Sequence, residues 1–252
     1  MKFWRNFKDF ILSFFYPRNK IYVISFPNSG RTWLKHMLFE IIKELHINES
    51  NIEFSHDNSE IIIEDGTRID PNIIFQYTDR YKYRRAKVIF LCRDPRDIIA
   101  SNYHQVTKRA RNPFIFNKKS DFVQHNILGF RRIIHFYNLW AKNRSIPNDF
   151  LLIKYENLLS GIDELENFLN FINIRIDKKL ITKIYNASSA DKMRLNEKNN
   201  KIKGFTHFGK EANQMKVRIA KQGSYLSELT SDDINFCNNE MKELDIYYNY
   251  KI

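Results

Sequence analysis

Glycine and cysteine are both scarce in this chain, with seven glycines and two cysteines, Cys92 and Cys237, among 252 residues. Two thiols and no CxxC pair argue against a disulfide-stapled secreted fold and offer no zinc site. No apolar run approaches the ~20 residues that a membrane span needs. The composition therefore reads as soluble and cytoplasmic-side. Charge is abundant, with 41 Lys+Arg against 29 Asp+Glu, a formal +12. Such an excess steers anionic ligands, nucleic acid or an acidic membrane surface, and by itself does not choose among them. With 43% hydrophobic residues the composition is globular. The length suits a single domain spanning 1–252.

So few glycines give each one meaning. Gly30 follows the apolar run 21–26, which reads as a buried strand. After it the period switches to helical: Trp33, Leu34, Met37, Leu38, Ile41, Ile42 and Leu45 share a face. Further strands are expected at 52–56, 87–92 and 150–155, and helices at 97–108, 122–142 and 163–172. This alternation implies an α/β fold with a mainly parallel central sheet flanked by helices, a three-layer, P-loop-like arrangement. The polar stretch 196–217 lacks a period and reads as a mobile loop of the lid or binding type. Within 1–20, Phe3, Trp4, Phe7, Phe10, Ile11, Phe14 and Phe15 form one face of an amphipathic helix. That face either packs on its own domain or lies, through residues 1–16, at the inner membrane surface.

The turn Asn28-Ser29-Gly30-Arg31-Thr32-Trp33 has the makings of an oxyanion cradle. Successive N–H groups and the positive helix end would hold the anion, Ser29 and Thr32 add hydroxyls, and Arg31 adds charge. It is not a Walker A loop, because no Lys-Ser/Thr follows the last glycine. A second strand, 87–92, runs into Arg93-Asp94-Pro95-Arg96-Asp97 and a helix carrying Ser101. Arg93 and Ser101 are placed to converge on a second phosphate.

Together these two segments resemble the PAPS-dependent sulfotransferases of the cytosolic type. PAPS is 3′-phosphoadenosine-5′-phosphosulfate, a sulfuryl donor with two anionic ends. The resemblance implies that the loop Asn28–Trp33 takes the 5′-phosphosulfate. It also implies that Arg93, with Ser101 eight residues on, takes the 3′-phosphate. Downstream, 151–158 is similar to the family's strand ending in Tyr-Glu-Asp, which puts Tyr155 by the adenine. The stretch 188–193 is similar to Ser-Phe-x-x-Met, putting Ser188 and Met193 at the base. The stretch 218–225 is similar to Arg-Lys-Gly-x-x-Gly-x-Trp, making Arg218 a second 3′-phosphate ligand. Four departures stand out. Asn28 occupies the place of the family's catalytic Lys, Ala190 that of an aromatic, Ala220 that of a glycine and Ile219 that of a Lys near the 3′-phosphate. Arg31 is the nearby cation expected to supply the charge missing at Asn28.

Sulfuryl transfer needs a base for the acceptor's proton and donors for the leaving phosphate, and no metal. The family's base is most often a His between the two phosphate motifs. His36 and His46 fall within the first helix, whereas His56 ends the second strand, where ligand sites of open parallel sheets gather. His56 is therefore the expected base; Asp57 is the candidate to orient it, although neighbours on a strand end can point apart. The acceptor is a small-molecule or glycan hydroxyl, with Phe114, Phe116, Phe205, His207 and Phe208 as candidate lining. Two rival readings differ in kind. A P-loop kinase-like enzyme needs magnesium and a carboxylate to hold it; Asp94 and Asp97 are available but read better as turn and helix-cap residues. A nucleic-acid-binding protein would gather its Lys/Arg on one stripe, but here they are spread along the chain. No nucleic-acid partner is therefore expected.

Overall fold

The computed structural model describes residues 19–48, 50–57, 77–110, 113–199, 215–217 and 220–251. Its centre is a four-stranded sheet of β1 (Ile21–Ser25), β2 (Ile52–Ser55), β3 (Lys87–Cys92) and β4 (Asp149–Lys154), in the order β2-β1-β3-β4. Every neighbouring pair is parallel. A parallel strand buried on both faces has to be apolar throughout. β1 is buried at every position and β3 at every position after Lys87.

Side chains alternate between the two faces. Ile21, Val23, Ile89 and Leu91 pack with Leu34, Met37 and Ile41 of the helix Arg31–Leu45 and with the helices Asp163–Phe171 and Lys178–Ala187. Tyr22, Ile24, Val88 and Phe90 face the helices Pro95–His104 and Phe130–Asn143 and the C-terminal Tyr248. Phe90 sits among Phe136, Tyr137 and Trp140, with ring centroids 5.5–5.8 Å away. The result is the expected three layers, with helices on both faces of the sheet.

Several local expectations need correction. The helix expected over 122–142 is two helices, Lys119–Val123 and Phe130–Asn143. The chain turns between them, where His125 Nδ1 accepts from Ile127 N and Leu128 N. A side chain at Gly129 would collide with main-chain oxygens of Val123 and His125, so the turn needs glycine. The helix expected from Asp97 starts at Pro95. Asp94 caps it, accepting from Arg96 N at 2.9 Å, and it passes into a π-helical turn, Gln105–Arg109. Residues 196–198 end the helix Ala190–Lys198 and do not begin a loop. Glu197, buried, accepts from Lys216 N and Val217 N and so ties the far end of that stretch back. The amphipathic face at 3–15, the rest of 200–214 and Arg218 lie outside the described residues. Among those described, no helix is long and apolar enough to cross a membrane.

Candidate active site

The C-terminal ends of all four strands open on one edge of the sheet. There β1 delivers the turn 26–30, β2 delivers His56, β3 delivers Arg93 and β4 delivers Tyr155. Register sets this alignment, with Ser25 beside Leu91, Ile24 beside Ser55 and Cys92 beside Lys154.

The turn after β1 is built on two left-handed residues, Asn28 (φ 68) and Gly30 (φ 92). Asparagine tolerates that region better than most residues. Gly30 is required for a second reason, since a Cβ there would run into the ring of Tyr155, 2.7 Å from Cε2. The ring closes the turn from the side of β4. It also lies under the Arg93 guanidinium, 4.7 Å from its carbon, and edge-on to Trp33 at 6.0 Å. Trp33 Nε1 donates to Ser188 O at 2.7 Å, so the first loop and the stretch beginning at Ser188 are joined.

Arg93 faces the glycine turn. Its Nη1 donates to Asn28 O at 3.2 Å and its Nη2 to Lys221 O at 3.3 Å. Its main chain is fixed by Tyr137, whose hydroxyl accepts from Arg93 N and donates to Arg93 O. Asp97 does not act as the helix cap suggested by its position. It is fully buried and accepts from Gly223 N, Ser224 Oγ and Tyr225 N at 2.9–3.0 Å. Asp94 is engaged too, pairing with Arg96 at 2.7 Å. Neither carboxylate is placed to hold magnesium, which removes the ground for the kinase-like reading. Among the described residues, no group of three His, Cys, Asp or Glu is arranged to bind a metal.

His56 lies at the β2 end of the same edge. A carbonyl can only accept, so the 2.9 Å contact of Nδ1 with Ser25 O puts the ring proton on Nδ1. Nε2 is then the lone-pair nitrogen, and Arg31 donates to it. Burial and the Arg31 charge lower the His56 pKa to about 3, which keeps the ring neutral. Asp57 does not bond His56. Its carboxylate takes Ser55, Lys82 and Tyr83 instead, and the orienting group is the Ser25 carbonyl. Arg31 and His56 are thus brought together. Asn28 lies one side chain from Arg93 and from Asn102, to which its Nδ2 donates at 2.8 Å.

Ser29 Oγ, Ser188 Oγ and Arg93 Nε are buried with no hydrogen-bond partner among the described residues. Hydroxyls and guanidinium N–H groups in that state suit phosphate or sulfuryl oxygens. Ser101 is half-buried on the helix beside Asn102, and Met193 is buried in the helix Ala190–Lys198. Thr32 is half-buried in the first turn of its helix. Phe114 and Phe116 stack on each other at 6.3 Å and lean on the core, while Phe205, His207 and Phe208 lie outside the described residues. The residues missed in sequence are Tyr137, Asn102, Asp97 as a clasp, and Arg109, whose Nη2 donates to Asn28 Oδ1 at 3.2 Å.

Ala220 stands where the resemblance implies a glycine, and its φ is 50. Alanine is strained there. Ala220→Gly is expected to stabilise the fold by about 0.5–1 kcal/mol, a small rise in Tm measurable by calorimetry.

A strand–turn–helix that presents N–H groups at one end of a parallel sheet, with an arginine from the neighbouring strand, is an arrangement suited to an anionic ligand. Residues 18–244 match the family described as "Sulfotransferase domain". This chain belongs to that family. It is 24% identical to flavonol 3-sulfotransferase of Flaveria bidentis, over 86% of this chain and 78% of that protein. It is 23% identical to human sulfotransferase 1E1, over 79% and 73%. The fold is shared with mouse sulfotransferase SULT7A1 complexed with PAP, at TM-score 0.63 and 16% identity, covering 92% of this chain and 86% of that one. Retinol dehydratase in complex with retinol and PAP gives 0.58 at 14% identity, covering 90% and 82%.

Proposed function

We propose that this enzyme moves the sulfuryl group of PAPS to an acceptor hydroxyl, with His56 as base and the turn 28–33 and Arg93 as the two anion grips. One observation carries the reading: Arg93 reaches from the end of β3 to the main chain of the glycine turn, so two anion-binding elements adjoin. The Ser29 and Ser188 hydroxyls, which have no hydrogen-bond partner among the described residues, support it. When bound, PAPS supplies an activated sulfuryl group on a good leaving phosphate. Main-chain N–H groups at the start of the helix Arg31–Leu45 and the Ser29 and Thr32 hydroxyls would hold its 5′ end. Arg93, with Ser101 and Arg218, would hold the 3′-phosphate. Tyr155, Trp33, Ser188 and Met193 would border the adenosine. His56 Nε2, once released by Arg31, would take the acceptor's proton, and Arg31 would supply positive charge beside the sulfuryl oxygens.

The acceptor we favour is a carbohydrate or another small molecule bearing a hydroxyl. The chain is read as one domain working on the cytoplasmic side, with residues 1–16 as a candidate membrane contact. The test is titration calorimetry with PAP and, separately, 5′-AMP, both in chelator. The wild type should prefer PAP. Arg93→Ala should lose roughly 10²-fold of its PAP affinity while leaving 5′-AMP binding nearly unchanged, because a charge-assisted phosphate contact disappears. Equal losses for both nucleotides would assign Arg93 to the loop's architecture and not to the 3′-phosphate.

A further inference from the structure

Sulfuryl transfer places charge on one atom in particular. As the sulfur–oxygen bond to the 5′-phosphate breaks, its electron pair stays on the bridging oxygen, and a cation fixed there stabilises the transition state. Phe26, Pro27, Asn28, Ser29 and Gly30 bring none of their own. Arg31, the cation nearest in sequence, donates to His56 Nε2.

Two other guanidiniums reach the turn, and both do so at Asn28. Arg93 takes its main-chain oxygen and is drawn toward Lys221 and Tyr155. Arg109 takes its side-chain Oδ1 at 3.2 Å, while Asn102 holds the Nδ2 end at 2.8 Å. Both ends of the amide are therefore fixed by one continuous helical stretch. Asn102 lies in the helix Pro95–His104, and Arg109 ends the π-helical turn that follows it. Single π turns are uncommon and recur at functional sites, where they re-aim a side chain. Arg109 is 5% exposed.

We propose that Arg109 is a catalytic residue, its guanidinium aimed by Asn28 at the bridging oxygen of the donor. The proposal rests on the sulfuryl-transfer reading above. In the step, the acceptor oxygen bonds to sulfur and the sulfur–bridging oxygen bond breaks. The electron pair remains on the nucleotide beside Arg109, and the acceptor's proton passes to His56 Nε2.

The test uses PAPS with water as probe acceptor, following release of PAP, together with PAP affinity by calorimetry. Arg109→Gln keeps a donor for Asn28 and removes the charge. It should lower kcat by about 10²-fold with PAP affinity within threefold of wild type. Arg109→Lys should retain turnover to within about tenfold. In the Arg109→Gln background, Asn28→Lys should recover at least tenfold, because it returns a cation to the turn by another route. Wild-type turnover in Arg109→Gln would overturn the proposal. So would equal losses in the Gln and Lys variants, or absence of recovery in the double variant while it still binds PAP. Failure of the wild type to bind PAP would instead refute the sulfuryl-transfer reading itself.

Discussion

His56→Ala is expected to lower turnover by 10²–10⁴-fold while leaving PAP affinity within about threefold of wild type, measured by PAP release and by calorimetry on the same preparation. The size follows from the proposed role of His56 as base. A positioned base contributes that range, and no other described histidine ends a strand on this edge of the sheet. The separation of kcat from nucleotide affinity follows from the geometry. His56 is held by Ser25 O and Arg31, whereas Arg93 is held by Asn28 O, Lys221 O and the Tyr155 ring, so cutting His56 back to a methyl leaves the Arg93 grip in place. A variant with near-wild-type turnover would move the base elsewhere.

The pH dependence of His56 carries a second, independent consequence. Burial and Arg31 lower its pKa to about 3 in the folded protein, against 6.5 for an ordinary histidine. Below pH 6.5 the unfolded chain binds a proton at this position that the native chain refuses. The slope of unfolding free energy with pH is then positive, and stability falls as pH drops from 6.5 toward 3. Denaturant titrations of wild type and His56→Gln should diverge in that window, the wild type losing more stability on acidification. For the free enzyme, the acid limb of kcat/KM should lie well below pH 6.5, because the base is already neutral there. An acid limb at 6.5 would mean that Arg31 and burial do not set its charge state.

The sheet and its order of elements were legible because their signals are strong and local. An apolar run, a glycine and a switch to helical period mark β1, its turn and its helix, and the run 87–92 ends where Arg93 begins. What escaped reading depends on contacts far apart in sequence. Asp97 looked like a helix cap, since a carboxylate near a helix start usually is one. Only the fold brings Gly223, Ser224 and Tyr225 to it. Arg109 and Asn102 carried no signal either, because nothing in sequence says which side chain a helix aims at Asn28. Asp57 failed as the partner of His56 for a simpler reason: adjacent residues at a strand end point to opposite sides. Lys82 and Tyr83 claim it there. Gly129, by contrast, stood within the periodic run 122–142, and the period outweighed its warning.

Gly30→Ala is expected to cost roughly 3–5 kcal/mol and most of the PAP affinity. Two penalties coincide. The residue sits at φ 92, where an alanine is strained, and the added methyl overlaps the Tyr155 ring. That ring has little room to retreat, since Arg93 lies over it and Trp33 meets its edge. If the ring yields instead of the backbone, Arg93 loses its platform and the two anion grips come apart, so stability and binding fall together. The strain and the overlap can be separated by a double-mutant cycle. Tyr155→Ala alone should destabilise by about 3 kcal/mol through the cavity it leaves. In that background Gly30→Ala should cost only the backbone term, roughly 1–2 kcal/mol. Purely additive effects in chemical denaturation would mean that the ring does not confine this turn, and that Gly30 is needed for its dihedral angle alone.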